Sequence, residues 1–270
     1  MYRFVGAMSP RDVLGKIARG EVDLVNITFR EGLTIAEMAA IFETQGLGTA
    51  ASFREAAADR SLIAGLDPQA TDLEGYLFPE TYAISRHVQA SQLVRAMVDR
   101  FIHVLSPEIR AAATARQLTI RQLVTLASIV EKETGAAEER PIVAAVYSNR
   151  LRIGMGLQCD PTVIYALQRA GRFDGNLRRE DLAFDSPSNT YRYAGLPPGP
   201  IAAPGRLSLE AAAKPADVDF LYFVSRNDGT HAFASTLDEH NRNVQKFQVE
   251  YFRERRQAAR RREQGGALSR

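Results

Sequence analysis

The segment from residue 119 to residue 134, TIRQLVTLASIVEKET, constrains the fold most strongly because it is apolar over most of a helical surface. At about 100° per residue, one side of this helix carries four polar residues: Arg121, Thr125, Ser128 and Lys132. Most of the remaining arc consists of Ile, Leu, Val and Ala side chains. The pattern predicts a helix that buries a wide apolar surface in a protein core.

Glu131 and Glu133 project into or beside this apolar surface. A carboxylate that faces a core is costly unless it is paired or neutralised, and burial raises its pKa toward the range that a general acid needs. The alternative is that both glutamates lie in a last turn, where their carboxylates reach solvent or a nearby arginine. The helical period does not choose between the two glutamates.

The rest of the chain predicts an α+β fold that is mainly helical with short sheets. Thr34 and Glu37 have the spacing of a capping box, so a helix is expected after Thr34 with an end near Gly46. Its apolar stripe comprises Ile35, Met38, Ala39 and Phe42. Further helices are predicted at 9–19, 51–65, 89–105, 117–134, 141–155, 163–168, 207–213 and from 237 onward. Strands are predicted at 22–29, 219–225 and 230–235, the last two forming a hairpin.

Composition excludes several kinds of site. The formal net charge of +2 gives no argument for a nucleic-acid partner. Cys159 is the only cysteine, which excludes an intramolecular disulfide and a cysteine-based metal site. The four histidines show no ligand spacing, so no metal and no cofactor are expected. The sequence contains no run of 18 apolar residues, and we expect the chain as given to be soluble.

Two segments combine the residue types of a carbohydrate site. LEGYLFPETY places Glu74 and Glu80 among aromatic residues that include Tyr76, which suits a sugar-binding groove. The alternative is a loop that packs its aromatic side chains into the core. SNTYRYAGLPPGPIAAPG is typical of a binding loop and also of a long structural loop.

Five blocks of the sequence together resemble the endolytic murein transglycosylase (YceG-like) family. In chain order they are LEGYLFPETY, ASIVEKET, SNRLRIGMGLQCDPTVIYAL, SNTYRYAGLPPGPIAAPG and DFLYFVSRNDGTHAFASTLDEHN. The resemblance covers about residues 20 to 248. It implies an enzyme that cleaves the bond between N-acetylmuramic acid and N-acetylglucosamine within nascent peptidoglycan strands, leaves 1,6-anhydro ends and terminates glycan polymerisation.

The resemblance also implies roles for particular residues. The catalytic glutamate of the family is the second one of the EKE block, which corresponds to Glu133. The candidates for substrate binding around it are Glu74, Tyr76, Gln158, Asp160, Asn189 and Tyr191. A single carboxylate suffices for this reaction because the C6 hydroxyl of the sugar is a tethered nucleophile, so no second carboxylate has to hold a water molecule.

The family implies an inner-membrane protein in which a LysM-like module precedes a catalytic domain outside the cytoplasm. We expect a partial LysM-like module at residues 1–50, the catalytic domain at 51–250 and a basic tail at 251–270. We expect the membrane helix of the family to be absent from this chain. Expected partners are peptidoglycan strands and peptidoglycan synthases. The alternative functions are a non-catalytic peptidoglycan-binding or scaffolding protein and, among enzymes, a muramidase.

Overall fold

A computed structural model describes residues 6–18, 24–253 and 255–257. The chain divides into two units, each with its own set of internal contacts. The first unit comprises Met1–Ser128 and Gly199–Arg206, and the second comprises Ile129–Pro198 and Leu207–Arg270. Within the described part, helices predominate and the strands form two-stranded antiparallel sheets, which confirms the predicted α+β class. The domain boundaries predicted near residues 50 and 250 stay a prediction.

The first unit contains the helices α1 (Pro10–Ala18), α2 (Ile35–Thr44), α3 (Ala50–Ala57), α4 (Ala90–Val104) and α5 (Pro107–Ala115). All of these helices except α1 bury residues. The predicted capping box is present: the Thr34 hydroxyl accepts from the Glu37 backbone N–H, and the Glu37 carboxylate accepts from that of Thr34. All four residues of the predicted apolar stripe of α2 are buried. The local signals and the tertiary burial of α2 therefore agree.

The sheet of the first unit pairs β1 (Leu24–Thr28) with β2 (Thr81–Ser85), in a register that sets Leu24 opposite Ser85. The ring of Phe53 lies 6.0 Å from that of Phe29, the residue after β1, and 5.4 Å from that of Phe42. These aromatic contacts connect the end of β1 to α2 and α3. The strand predicted at residues 22–29 is confirmed over Leu24–Thr28, whereas Phe29 lies just beyond its end, and residues 22 and 23 lie outside the described residues.

The next helix is α6 (Ile120–Glu133), in which the division between the units falls after Ser128. The elements that follow are α7 (Arg140–Arg152), α8 (Asp160–Arg169), α9 (Arg206–Ala213), β3 (Tyr222–Ser225), β4 (His231–Ala234) and α10 (Leu237–Val244). The predicted hairpin is confirmed, because β3 pairs with β4 through a turn in which Asn227 and Gly229 have positive φ. A π-helical segment, Gln245–Glu250, extends α10.

The structure differs from the predicted elements at several places. The helix predicted at 51–65 ends at Ala57, because Asp59 accepts from the Ser61 N–H and starts a separate 3-10 turn. The helix predicted at 141–155 ends at Arg152, before Gly154 takes a left-handed φ of 69°. Helix α8 begins three residues earlier than predicted, and neither α5 nor β2 was predicted.

None of the described helices has both the length and the apolar composition needed to cross a bilayer.

Candidate active site

Glu133 is the last residue of α6 and lies entirely within the second unit. Apolar residues of the preceding turns, including Ile129 and Val130, are fully buried, which fixes the helix and the direction in which the Glu133 side chain leaves it. The residue itself is half-buried. This arrangement places a carboxylate at the edge of a core, where desolvation is strong but a ligand can still reach it.

Two neutral donors hold the Glu133 carboxylate. The Tyr147 hydroxyl donates to Oε1 across 2.7 Å, and the Cys159 thiol donates to the same oxygen across 2.9 Å. Burial raises the pKa of Glu133, these two hydrogen bonds lower it, and the charge of Asp160 raises it. The net shift is upward, so Glu133 retains its proton at a higher pH than an exposed glutamate.

The neighbouring Glu131 has a different environment. Its carboxylate forms an ion pair with the guanidinium of Arg140, the first residue of α7, with a distance of 3.0 Å between Oε1 and Nη2. Both side chains are almost completely buried, with 5% and 8% exposure. A carboxylate paired with a guanidinium is stabilised as an anion, whereas a general acid must hold a proton. The contrast favours Glu133 as the proton donor of this helix end.

Glu133 opens onto a cavity of about 300 Å³. Three of the predicted substrate-binding residues line this cavity with it: Gln158, Asp160 and Tyr191. The other lining residues are Tyr147, Arg150, Leu157, Phe223 and His240. The cavity therefore combines carboxylates, a cation, hydroxyl and amide groups and an aromatic ring, which are the groups that bind a sugar ring and its substituents.

Gln158 and Asp160 reach the cavity because of the backbone conformation before α8. Gln158 has a left-handed φ of 50°, and its N–H donates to the Thr190 carbonyl across 3.2 Å. Asp160 begins α8, and Pro161 follows it at the start of the helix, a favoured proline position. The Tyr191 hydroxyl donates to Asp160 Oδ1 across 2.6 Å. This bond joins the loop around residue 190 to the start of α8.

Asn189 is fully buried and makes hydrogen bonds to its own loop. Its side-chain amide donates to the carbonyls of Leu182 and Phe184, and its Oδ1 accepts from the Tyr191 N–H across 2.9 Å. These contacts favour a role in positioning Tyr191. A direct contact between Asn189 and substrate stays a prediction.

Glu74 and Tyr76 lie in the first unit and are buried. The Glu74 carboxylate accepts from the N–H of Ile35 across 3.0 Å at the start of α2, where a negative charge is favourable. The Tyr76 hydroxyl donates to Asp67 across 2.6 Å, and Asp67 also accepts from Arg121. These contacts favour structural roles for both residues. Their assignment to substrate binding stays a prediction.

A further carboxylate connects the segment after α6 to the hairpin of the second unit. Glu139 accepts from the backbone N–H of His231 across 2.8 Å, and its other oxygen lies 2.7 Å from His231 Nδ1. The Thr134 hydroxyl donates to the same carboxylate across 3.3 Å. Thr134, the residue directly after Glu133, is therefore linked through Glu139 to His231 in β4.

Sequence reasoning did not identify Tyr147, Cys159, Arg150 and His240 as site residues. Tyr147 and Cys159 follow Glu133 by 14 and 26 residues, so helical spacing within α6 cannot reveal them. Two family blocks contain some of these residues: SNRLRIGMGLQCDPTVIYAL contains Arg150 and Cys159, and DFLYFVSRNDGTHAFASTLDEHN contains His240. Among the residues that the structure describes, no group of His, Cys, Asp and Glu side chains has the arrangement of a metal site.

Residues 1–246 match the model of the YceG-like family. A relative named endolytic murein transglycosylase from Bacillus subtilis strain 168 is 38% identical in an alignment of 179 positions that covers 65% of this chain and 48% of the relative. A relative of the same name from Streptococcus pneumoniae serotype 2 is 31% identical in an alignment of 275 positions that covers 90% of this chain and 49% of the relative. The chain spans about half the length of these curated relatives.

The fold is also similar to a solved structure. The crystal structure of a yceG-like protein from Listeria monocytogenes superposes with a TM-score of 0.72 at 32% sequence identity. The match covers 89% of this chain and 83% of the Listeria chain.

Proposed function

The chain belongs to the YceG-like family, and from this premise we propose that it is an endolytic murein transglycosylase. The proposed reaction cleaves the bond between N-acetylmuramic acid and N-acetylglucosamine within a peptidoglycan strand and leaves a 1,6-anhydro end. The observation that supports it most directly is Glu133, a carboxyl group of raised pKa that faces a cavity of sugar-binding composition. Both relatives carry the name of this activity.

In the proposed mechanism, protonated Glu133 first donates its proton to the glycosidic oxygen as the bond to C1 of the muramic acid breaks. The C6 hydroxyl of the same sugar attacks C1, and the Glu133 carboxylate accepts the hydroxyl proton. The enzyme thus returns to its protonated state without consuming water. The nucleophile is part of the substrate, which gives it a high effective concentration.

Tyr147 and Cys159 act as positioning residues in this mechanism. Both donate to Oε1 of Glu133, whereas Oε2 makes no hydrogen bond within the described part of the chain. Two donors on one oxygen favour the proton on the other oxygen, because a protonated Oε1 would accept hydrogen bonds more weakly. Oε2 is therefore the oxygen that delivers the proton.

Asp160 supports a second candidate, a muramidase that uses water. Hydrolysis of a glycosidic bond generally needs two carboxyl groups that flank the bond, and Asp160 lines the same cavity as Glu133. The hydrogen bond from Tyr191 to Asp160 argues for a role in substrate orientation, since it stabilises a fixed carboxylate. We therefore favour the transglycosylase.

We also extend the family resemblance to the longer protein. We propose an inner-membrane protein with a LysM-like module, a catalytic domain outside the cytoplasm and peptidoglycan synthases as partners. In this chain, Gln158, Asp160 and Tyr191 are the residues proposed to bind the glycan strand, since they share the cavity with Glu133.

Mass spectrometry of purified murein after incubation with the protein tests the function. Products that carry anhydromuramyl ends are expected. Reducing ends would identify a muramidase, and intact strands would identify a binding or scaffolding protein. Asp160→Asn adds a second criterion, because this change should abolish a water-dependent reaction but leave measurable formation of anhydro ends.

A further inference from the structure

Arg150 is a buried cation in the wall of the Glu133 cavity. The residue is 9% exposed, and its guanidinium is fixed by the backbone: Nε donates to the Leu221 carbonyl across 2.6 Å and Nη1 to the Leu157 carbonyl across 2.6 Å. Its guanidinium carbon also lies 5.5 Å from the ring centroid of Tyr222. All of these partners are uncharged.

Within the described residues, no carboxylate forms an ion pair with Arg150, and Nη2 makes no hydrogen bond. A buried charge is costly unless a counter-charge compensates it, and hydrogen bonds to neutral carbonyls compensate it only in part. A guanidinium held by two of its nitrogens presents the third one in a fixed direction, which suits recognition of an anionic oxygen.

His240 lies beside Arg150 in the same cavity wall. Its ring stacks on that of Tyr222 with a centroid distance of 5.1 Å, and its Nδ1 is buried without a hydrogen bond in the described part of the chain. Burial and the charge of Arg150 lower the pKa of His240, so the imidazole is neutral around pH 7. A neutral imidazole carries one N–H and can donate it to a ligand without adding a second buried charge.

We propose that Arg150 and His240 form a subsite that binds an anionic oxygen group, a carboxylate or a phosphate, carried by the glycan strand. The inference rests on the proposed function and adds a determinant of which strands are cut. The hydroxyl and acetamido groups of the sugars are neutral, and in a strand with peptide stems the lactyl carboxyl of muramic acid is an amide. On such a strand the anion is therefore a carboxylate of the stem or the phosphate of a lipid-linked chain end.

The subsite also separates charges within the cavity. Glu133 and Asp160 supply the acidic part, and Arg150 supplies the only cation among the residues that line this cavity. A strand with an anionic substituent would be attracted by Arg150 and repelled by Asp160, so it has one favourable orientation. The subsite would thus set the direction of the strand across Glu133.

Binding measurements with the Glu133→Gln variant, which keeps the strand uncut, test the proposal. The probes are a glycan tetrasaccharide with peptide stems, the same tetrasaccharide with its lactyl groups capped as neutral methylamides, and the capped form with a phosphate at its reducing end. Arg150→Gln, added to this variant, should weaken binding of an anionic probe about 10- to 100-fold, as expected for the loss of one charge-assisted hydrogen bond. Binding of the neutral probe should change little.

The source of the anion is identified by the probe whose binding Arg150→Gln weakens: the probe with peptide stems or the probe with a phosphate. Arg172→Gln is the matched control, because Arg172 also lies against an aromatic ring, that of Phe184, but is exposed and does not line the cavity. If Arg150→Gln weakened the binding of neutral and anionic probes equally, the proposed subsite would be refuted. Arg150 would then be assigned a structural role through its hydrogen bonds to the Leu157 and Leu221 carbonyls. Failure of every probe to bind would overturn the proposed function together with the subsite.

NMR titration of His240 provides a test that does not depend on folding of the Arg150 variants. In the Glu133→Gln protein, the bound anionic probe should raise the pKa of His240, because an adjacent negative charge stabilises the imidazolium. The neutral probe should leave it unchanged. An equal His240 pKa with both probes, each at saturation, would overturn the proposal.

Discussion

Replacing each glutamate at the end of α6 with glutamine separates catalysis from stability. Glu133→Gln keeps an oxygen that accepts from Tyr147 and Cys159 but removes the transferable proton. We expect the formation of anhydromuramyl ends to fall by about 10²- to 10⁴-fold, the usual contribution of a general acid–base group. The free energy of unfolding should change by about 1 kcal/mol or less, since both hydrogen bonds can be retained.

Glu131→Gln has the opposite consequences. It removes the negative charge that faces Arg140 in a pair whose side chains are 5% and 8% exposed. Breaking a buried ion pair costs about 3 to 5 kcal/mol, and we expect about 3 kcal/mol because the amide oxygen can still accept from the guanidinium. For a chain of this size, that loss corresponds to a decrease in Tm of about 6 to 12 °C.

The two variants control for each other, because they carry the same chemical change two positions apart on one helix. Thermal denaturation followed by circular dichroism measures stability, and mass spectrometry of digested murein measures product at a temperature where both variants are folded. If Glu131→Gln lost activity while folded and Glu133→Gln remained active, the assignment of the general acid would be wrong. If both folded variants remained fully active, the proposed mechanism would be refuted.

Tyr147→Phe removes a hydrogen bond that lowers the pKa of Glu133, so this pKa should rise further. Because the protonated form is active, the alkaline limb of the pH profile of kcat/KM should move to higher pH. An alkaline limb that stays in place or moves to lower pH would contradict the role of Tyr147. Burial raises the pKa of the Cys159 thiol, so a thiol reagent should label it only on unfolding, and rapid labelling of the native protein would contradict its placement. Gly75→Ala should lower the free energy of unfolding, measured by chemical denaturation, by about 2 to 4 kcal/mol, because φ is +82° and a Cβ would overlap Pro200. Gly65→Ala, where the space around a Cβ is open, should change the free energy of unfolding little.

Local signals in the sequence predicted the elements that depend on local interactions. The capping box at Thr34 and Glu37 and the stripe on α2 are examples, because every interaction that defines them lies within one or two turns. Strand β2 has no comparable signal. It contains polar residues and follows a proline and a glutamate, and it becomes a strand by pairing with β1, more than 50 residues earlier in the chain.

The candidate site likewise depends on contacts between residues that are distant in sequence, which local signals do not reveal. The helical period placed Glu131 and Glu133 beside an apolar surface but could not distinguish them, because the distinction depends on Arg140 and Tyr147 in the next helix. The family resemblance implied Glu133 without a physical reason. The structure shows a physical difference between the two glutamates, an ion pair on Glu131 and two neutral donors on Glu133, and this difference favours the prediction.

The end of α6 at Glu133 has an electrostatic consequence. The aligned peptide dipoles of a helix give its C-terminus a partial negative charge, which disfavours an anion there by about 0.3 to 1 kcal/mol. Glu133 occupies this position, so ionisation of its side chain is opposed by the macrodipole of the helix that carries it. An insertion that prolonged α6 by one turn beyond Glu133 would move the partial negative charge away from this residue. The pKa of Glu133 would then fall. The length of α6 thus contributes to the proton affinity of the site.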